Sequence, residues 1–272
     1  MFVELNSLIN VSEKDPPKRK FILLSDSQND GSFIIHHFLA LYIKDDLFKN
    51  LFIIIAQQCK KSTSETQLAI DKNGKVTNKQ ISLVHGQNGT LVRASLHRAI
   101  SELPQPCFKA RLCAKPVIFF SNASFTLQPL YNRIKSTFEN EKEPCLLVID
   151  DLSCLLSIGI HVQNVIDFAH YCYSLMCCST TMLNGCFVTL VHNDSDVEDE
   201  ESLLLWKQLC HYSHMELHVR GLSSGYCKDV HGQLTITQRD QHRTKHHTRN
   251  LQFKILEKNV TFFAPGMSKA VL

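Results

Sequence analysis

The sequence lacks the features that mark membrane, secreted and zinc-binding proteins. Its apolar runs, such as Leu51–Ala56, are far shorter than the ~20 residues that span a bilayer. The first ten residues hold neither a basic stretch nor a small-residue cleavage site, so we do not interpret them as a signal peptide. No Cys-x-x-Cys pair is present, which argues against the usual zinc-ligand spacing. We therefore predict a chain that uses no membrane segment, no metal and no cofactor.

Excess charge of one sign is also absent. The formal net charge is +3 over 272 residues, which is too small to indicate a nucleic-acid-binding protein, so any basic surface must be local. Eleven cysteines, an odd number, are scattered through apolar runs, unlike the disulfide framework of a secreted protein. This usage predicts buried, reduced thiols in the cytoplasm or the nucleus. The clearest examples are Cys145, Cys154, Cys172 and Cys186.

What the sequence does contain is an alternation of apolar runs and helical periods. The chain is long enough for one large core, and we assign residues 1–272 to a single domain. The alternation predicts a three-layer α/β/α fold, in which a mainly parallel sheet lies between helices. The predicted strands are Phe21–Ser25, Leu51–Ala56, Ile81–His85, Leu146–Asp150 and Phe187–Val191, and the main predicted helices are Ser32–Lys44, Leu91–Leu103, Leu127–Asn140, His161–Met176 and Leu203–His211.

The end of the chain has a different pattern. Four strand candidates follow one another there with turns between them and no room for helices. They predict antiparallel strands at one edge of the sheet. The candidates are Met215–Val219, Leu234–Gln238, Leu251–Leu256 and Val260–Ala264.

The first strand–turn–helix unit has the setting of a phosphate-binding loop but not its residues. Such a loop, G-x-x-x-x-G-K-[ST], turns backbone amides toward phosphate, neutralises charge with lysine and holds magnesium with a hydroxyl. If Gly31 is set on the second glycine, Asp26 falls on the first, Ser32 on the lysine and Phe33 on the hydroxyl. The loop has lost its cation and gained a carboxylate. We therefore predict a degenerate loop and no ATPase activity.

A second degenerate position lies at the end of a hydrophobic strand. In the stretch Cys145–Ser153, Asp150 stands where P-loop enzymes carry the aspartate that orients magnesium. Without a loop that grips triphosphate, this carboxylate has no bound metal to serve. We predict a structural role for it, as a cap or as a hydrogen-bonding group at the edge of the sheet.

One motif of hydrolases is matched by Gly221–Gly225, which fits G-x-S-x-G around Ser223. A nucleophile elbow requires a strand before the serine and a helix after it. Here strand candidates lie on both sides. A turn is therefore the better interpretation, and the sequence does not favour a hydrolase.

A basic segment lies between two predicted strands. Arg239–Arg249 holds Arg239, Arg243, Lys245 and Arg249 against a single acid, Asp240. We predict a long hairpin loop that could contact nucleic-acid phosphates through these four side chains. A solvated polar loop is the alternative. No aromatic residues are interleaved, so stacking on bases is not predicted.

Several stretches are typical of one protein family, and they are distributed from the first residue to the last. They are Met1–Asn10, Asn29–Lys44, Cys145–Cys172, Gly225–Ile236 and Phe262–Leu272. Through them the chain resembles the sixth-subunit family of Elongator, a complex that modifies transfer RNA. The segment Lys60–Pro116 carries none of this resemblance.

The resemblance implies a RecA-like fold that lacks the ATPase motifs. It also implies a hetero-hexameric ring with the fourth and fifth subunits, two copies of each, that attaches to the larger catalytic subunits and binds transfer RNA. The wobble-uridine chemistry would belong to another subunit, so the chain would not be an enzyme. Gln57 and Gln58 agree with this, since similar active ATPases tend to carry glutamate after the second strand. The alternative is a RecA-type recombination paralogue that binds single-stranded DNA.

Overall fold

The computed structural model describes residues 3–12, 15–43, 50–55, 111–112, 126–138, 144–157, 159–193, 199–222, 225, 227–240, 245–256 and 259–266. Their strands are β1 (Lys20–Ser27), β2 (Asn50–Ile55), β3 (Arg111–Leu112), β4 (Cys145–Asp150), β5 (Gly185–His192), β6 (Met215–Arg220), β7 (Gly232–Arg239), β8 (His246–Ile255) and β9 (Val260–Phe263). Their helices are α1 (Val3–Ile9), α2 (Ser32–Ile43), α3 (Gln128–Phe138), α4 (Ser153–Ser157), α5 (Val162–Tyr173) and α6 (Glu200–Tyr212).

The described strands form one mixed sheet in the order β3-β2-β4-β5-β1-β6-β7-β8-β9. Every pairing from β3 through to β6 is parallel, and the pairings from β6 through to β9 are antiparallel. The predicted α/β architecture, with a parallel centre and an antiparallel finish, is confirmed. One detail of that prediction is wrong, because β6 pairs parallel with β1 and only β7, β8 and β9 run antiparallel to their neighbours.

Helices cover both faces of this sheet, and alternating residues of β1 show how. Ile22 and Leu24 point into a core shared with α1, α2 and the antiparallel strands. Phe21 and Leu23 point into a second core shared with α3, α5 and α6. Because β1 is hydrogen-bonded on both edges and covered on both faces, its sequence is a continuous apolar run and not an alternation.

Helix α2 lies inside the first core. Its apolar residues point in all directions, which is typical of a helix that is buried on most sides. Phe38 is fully buried there, and burial of a phenylalanine side chain contributes about 1.5–3 kcal/mol. The prediction of a helix over Ser32–Lys44 is confirmed to within one residue.

The N-terminal helix is tied to the C-terminal strands. Leu5 and Ile9 of α1 are buried in the first core. The backbone N–H of Phe262 in β9 donates to the Glu4 carboxylate at 2.7 Å. At the other end of α1, the guanidinium of Arg249 in β8 donates to the Leu8 carbonyl at 3.4 Å. Both ends of the first helix therefore depend on strands formed by the last residues of the chain.

The four cysteines chosen as the clearest examples match the expectation of free, buried thiols, whereas Cys178 is free but exposed. Cys145, Cys154, Cys172 and Cys186 are free and buried. Burial raises the pKa of the Cys186 thiol to about 12, so it stays protonated and unreactive at neutral pH. Among the helices described here, none is long and apolar enough to cross a membrane.

Two other elements differ from the sequence expectation. The predicted helix His161–Met176 is α-helical only as far as Tyr173, and Ser174–Cys178 continues as a π-helical turn. The two-residue strand β3 lies at Arg111–Leu112, where the sequence patterns predict no strand. The predicted strand Ile81–His85 and helix Leu91–Leu103 lie outside the described residues.

Candidate functional site: the carboxyl edge of the sheet and the basic hairpin

The degenerate loop follows β1 at the edge of the sheet where β1, β4 and β5 end, here called the carboxyl edge. The backbone N–H of Gly31 donates to the Asp26 carboxylate at 2.8 Å. The backbone N–H of Ser32 donates to the Asp30 carboxylate at 2.8 Å, and the Ser32 hydroxyl contacts the same oxygen. These amides at the start of α2 are the groups that a phosphate-binding loop offers to phosphate. In this chain two of its own carboxylates already take them.

Phe33, the residue at the hydroxyl position of the loop, does not contribute to the carboxyl edge. Phe33 packs against the first core, and its ring centroid lies 5.1 Å from that of Phe253 in β8. An aromatic side chain at this position therefore joins α2 to the antiparallel strands. It has no oxygen that could bind a metal ion.

At the end of β4, the capping role predicted for Asp150 belongs to its neighbour. The Asp151 carboxylate accepts the backbone N–H of Cys154 at 3.2 Å, at the start of α4. Asp151 has a φ of 69°, in the left-handed region that aspartate tolerates better than most residues. Burial, together with the nearby charge of Asp151, raises the pKa of Asp150 to about 7. The negative charge of Asp150 is therefore poorly compensated, and the residue that caps α4 is Asp151.

The end of β5 supplies a residue that sequence analysis missed. His192 follows the predicted strand Phe187–Val191 directly, and β5 lies between β4 and β1. Its Nδ1 contacts an Asp26 oxygen, and its Nε2 lies 3.4 Å from an Asp151 oxygen. A polar residue at the end of a third parallel strand was the available signal, because such ends meet at one edge.

The charges at the carboxyl edge do not suit a triphosphate. Asp26, Asp30, Asp150 and Asp151 contribute carboxylates, and among the described residues His192 is the cation that forms ion pairs at this edge. In the part of the chain that the structure describes, no group of three or more His, Cys, Asp or Glu side chains is arranged to hold a metal ion. A phosphate that entered this edge would be repelled by the carboxylates. It would also find the backbone amides of the loop already hydrogen-bonded to those carboxylates. Gln57, Gln58 and Ser223 lie outside the described residues.

The basic segment is not the long loop that the sequence predicts. Arg239 ends β7, β8 begins at His246, and these two residues pair across the ladder. The connection is therefore Asp240–Lys245, closed by a hydrogen bond from the Asp240 N–H to the Lys245 carbonyl at 3.1 Å. The expectation of a loop over Arg239–Arg249 is wrong because the backbone ladder continues through polar residues.

Two of the four basic side chains have partners inside the protein. The Arg239 guanidinium lies 3.2 Å from Glu216 and donates to the Ser213 hydroxyl at 2.8 Å. Glu216 is buried and also accepts the indole N–H of Trp206 at 2.9 Å. Arg249 donates to the end of α1, as described above. The exposed Lys245 remains directed to solvent at the tip of the hairpin, and Arg243 lies outside the described residues.

Comparison with known proteins gives a consistent match over the whole chain. The family model described as "Elongation complex protein 6" matches residues 2–257. The chain is 37% identical to Elongator complex protein 6 of Rattus norvegicus and 37% identical to that of Homo sapiens, in both cases over 100% of each chain. It is 35% identical to Elongator complex protein 6 of Xenopus laevis, again over 100% of each chain.

Proposed function

The chain belongs to the Elongator complex protein 6 family, and from this membership we propose that it is a non-catalytic subunit of the Elongator complex. The observation that carries the non-catalytic role is the pair of backbone amides at Gly31 and Ser32, which are bonded to Asp26 and Asp30. A nucleotide would have to displace both carboxylates to reach these amides. Because the loop lacks its lysine, no positive charge would compensate the nucleotide for this displacement.

We further propose that residues 1–272 form one RecA-like domain. In this proposal the domain assembles with the fourth and fifth subunits into a hetero-hexameric ring, two copies of each, in the cytoplasm or the nucleus. The parallel centre, the antiparallel finish and the helices on both faces support the RecA-like assignment. The family match favours this assembly over a recombination paralogue that binds single-stranded DNA.

The ring would bind transfer RNA and support wobble-uridine modification, while the larger catalytic subunits carry out the chemistry. The hairpin at the end of β7 is the candidate contact in this subunit. Of the four basic residues predicted to bind RNA, Arg239 and Arg249 already contact protein groups. Our proposal therefore rests mainly on Arg243 and Lys245, which belong to the hairpin connection and its tip. Such a contact would hold phosphates without reading the base sequence.

Affinity purification of the tagged chain from its own cells tests the assembly. We expect the fourth and fifth subunits in equal amounts with this chain, together with the larger subunits, as measured by quantitative mass spectrometry. Recovery of the chain without any of these partners would contradict the proposed function.

An ATPase assay of the purified chain tests the non-catalytic role separately. We expect no turnover above background, and no change in the Asp150→Ala variant. Turnover that is present in the parent and disappears in Asp150→Ala would show that the carboxyl edge is a working site.

A further inference from the structure

The histidine at the end of β5 is held between two buried carboxylates. His192 Nδ1 contacts Asp26 Oδ1, and His192 Nε2 lies 3.4 Å from Asp151 Oδ2. The side chains of Asp26 and Asp151 are 3% and 7% exposed, so neither carboxylate is well solvated. The backbone N–H of His192 also donates to the Ser153 hydroxyl at 2.9 Å, which ties the end of β5 to the start of α4.

Both carboxylates are themselves fixed by the backbone. Asp26 accepts the Gly31 amide at 2.8 Å, and Asp151 accepts the Cys154 amide at 3.2 Å. The φ of 69° at Asp151 is a costly conformation for most residues, and here it turns one carboxylate toward both Cys154 and His192. The imidazole therefore meets two acceptors that cannot easily move away.

The contacts on both ring nitrogens of His192 determine how many protons these three side chains must carry. A neutral imidazole has one N–H and one lone pair, so one of its two nitrogens would direct a lone pair at a carboxylate oxygen. That contact is repulsive unless the ring is protonated or one carboxyl carries the proton. In either form, the unit of Asp26, His192 and Asp151 holds one proton more than a neutral imidazole between two ionised carboxylates, and it titrates as one coupled group.

We propose that His192 is a permanent imidazolium cross-link between Asp26 and Asp151, which closes the carboxyl edge with the protein's own charge and makes folding take up a proton at neutral and alkaline pH. The cross-link joins β1, β5 and the turn after β4, which are the elements that would surround a nucleotide in an ATPase of this shape. The inference concerns the stability of this edge, and it does not depend on the proposed assembly or on RNA binding.

The local charges favour this position of the proton. Burial alone would lower the pKa of His192, but hydrogen bonds and charges from Asp151 and Asp26 outweigh burial and raise it to about 11. Burial raises the pKa of Asp26, and His192 opposes that rise. Among the described residues, the other titratable groups that act on this unit are two carboxylates at the same edge and one histidine of β6; they are Asp30, Asp150 and His218.

The sign of the pH dependence follows from these pKa values. A histidine in the unfolded chain loses its proton near pH 6.5, whereas folded His192 keeps its proton up to about pH 11. Its contribution to stability is therefore complete below pH 6.5 and declines as the pH rises toward 11. In this window the folded chain binds about one proton more than the unfolded chain.

Nuclear magnetic resonance of the full chain labelled with nitrogen-15 on histidine tests the proton directly. At pH 8 we expect both ring nitrogens of His192 to have shifts of a protonated imidazolium. The His192→Gln variant assigns the signal by its loss. A neutral ring with one pyridine-like nitrogen would overturn the proposal.

Thermal unfolding between pH 6.5 and 9.5 tests the coupling to folding. We expect the advantage of the parent chain over His192→Gln to shrink by roughly 3 °C per pH unit as the pH rises. His246→Gln is the matched control, because His246 is exposed in β8, and its pH dependence should follow the parent. Parallel pH profiles for the parent and His192→Gln would overturn the proposal. If His192→Gln does not fold, the resonance experiment on the parent chain decides alone.

Discussion

The carboxyl edge and the β7–β8 hairpin both concentrate charged residues, but they use them in opposite ways. At the carboxyl edge, Asp26 and Asp151 are buried, and each bonds backbone amides and His192. At the hairpin tip, Lys245 is exposed. Charge that the fold has paired internally cannot also bind a ligand without a large cost. The comparison therefore separates residues that maintain the structure from residues that remain available to partners.

Arg239 and Arg249 show that the boundary between these two groups does not follow the sequence. They belong to the same basic segment as Lys245, yet Arg239 pairs with buried Glu216 and Arg249 caps α1. Whether a basic side chain is paired within the protein depends on its neighbours in the folded structure. The following predictions test that division, beginning with the largest expected effect.

Asp26→Ala should be the most damaging of these changes. It leaves the Gly31 amide without its acceptor and His192 without one of its two carboxylates. Breaking a fully buried pair costs about 3–5 kcal/mol, and because the His192 side chain is 40% exposed we expect the lower end, about 3 kcal/mol. Urea unfolding of the full chain measures this as a lower free energy of unfolding. Asp15→Ala is the matched control, since Asp15 is 79% exposed and pairs only with Lys18, so its loss should cost about 0–1 kcal/mol. Equal effects of the two substitutions would contradict the division.

Arg239→Ala should come next. Its loss leaves Glu216 with the Trp206 indole but without its cation, which should cost about 2 kcal/mol in the free energy of unfolding. Lys245→Ala, six positions along the same basic segment, should change that free energy by less than about 0.5 kcal/mol. If both substitutions leave the unfolding midpoint unchanged, Arg239 does not stabilise the fold and is again a candidate for RNA binding.

The double change Arg243→Ala with Lys245→Ala tests the available charge at the hairpin. We expect the assembled complex to bind all transfer RNAs more weakly, with a salt slope flatter by about 1 for each lost phosphate contact. Filter binding over a range of salt concentrations measures both quantities. Lys254→Ala is the control, since this lysine lies near the opposite end of β8 from the hairpin connection and pairs with Asp229. Identical binding curves for the double variant and its parent would place the RNA contacts elsewhere in the complex.

Asp199→Ala should affect the fold less than Asp26→Ala or Arg239→Ala does. Asp199 is exposed and caps α6 by accepting the backbone N–H groups of Glu201 and Ser202. Removing such a cap costs about 1 kcal/mol. A hydrogen bond from the Ser202 hydroxyl lowers the pKa of Asp199, so its stabilisation is present above pH 4 and is lost as the pH falls through the lowered pKa. Thermal unfolding at pH 7 and pH 2 should show a larger difference between variant and parent at pH 7 than at pH 2.

Local sequence patterns predicted much of the parallel centre. Phe21–Ser25 and Leu146–Asp150 are strands because a strand covered on both faces needs an uninterrupted apolar run. The loss of the phosphate-binding residues at Ser32 and Phe33 could also be predicted, since that motif is local. These successes depend on information within a few residues.

What the sequence could not supply was contact between distant residues. Asp26 and His192 are 166 positions apart, and they meet only because β5 lies beside β1 in the sheet. The hairpin was predicted too long because polar residues in β8 resemble a loop, while the ladder that makes them a strand comes from pairing with β7. Strand order and pairing are tertiary properties, and they override local preference here.

The tie between α1 and the last two strands has a consequence during translation. Leu5 and Ile9 leave the ribosome well before the groups that hold the ends of their helix, Arg249 and Phe262, which are made about 250 residues later. At roughly 5–20 residues per second, the nascent chain spends tens of seconds with this apolar helix uncovered. We expect it to be a target for ribosome-associated chaperones throughout synthesis. A premature stop codon before Arg249 should release a product that the cell degrades, even though every strand of the parallel centre has already been made.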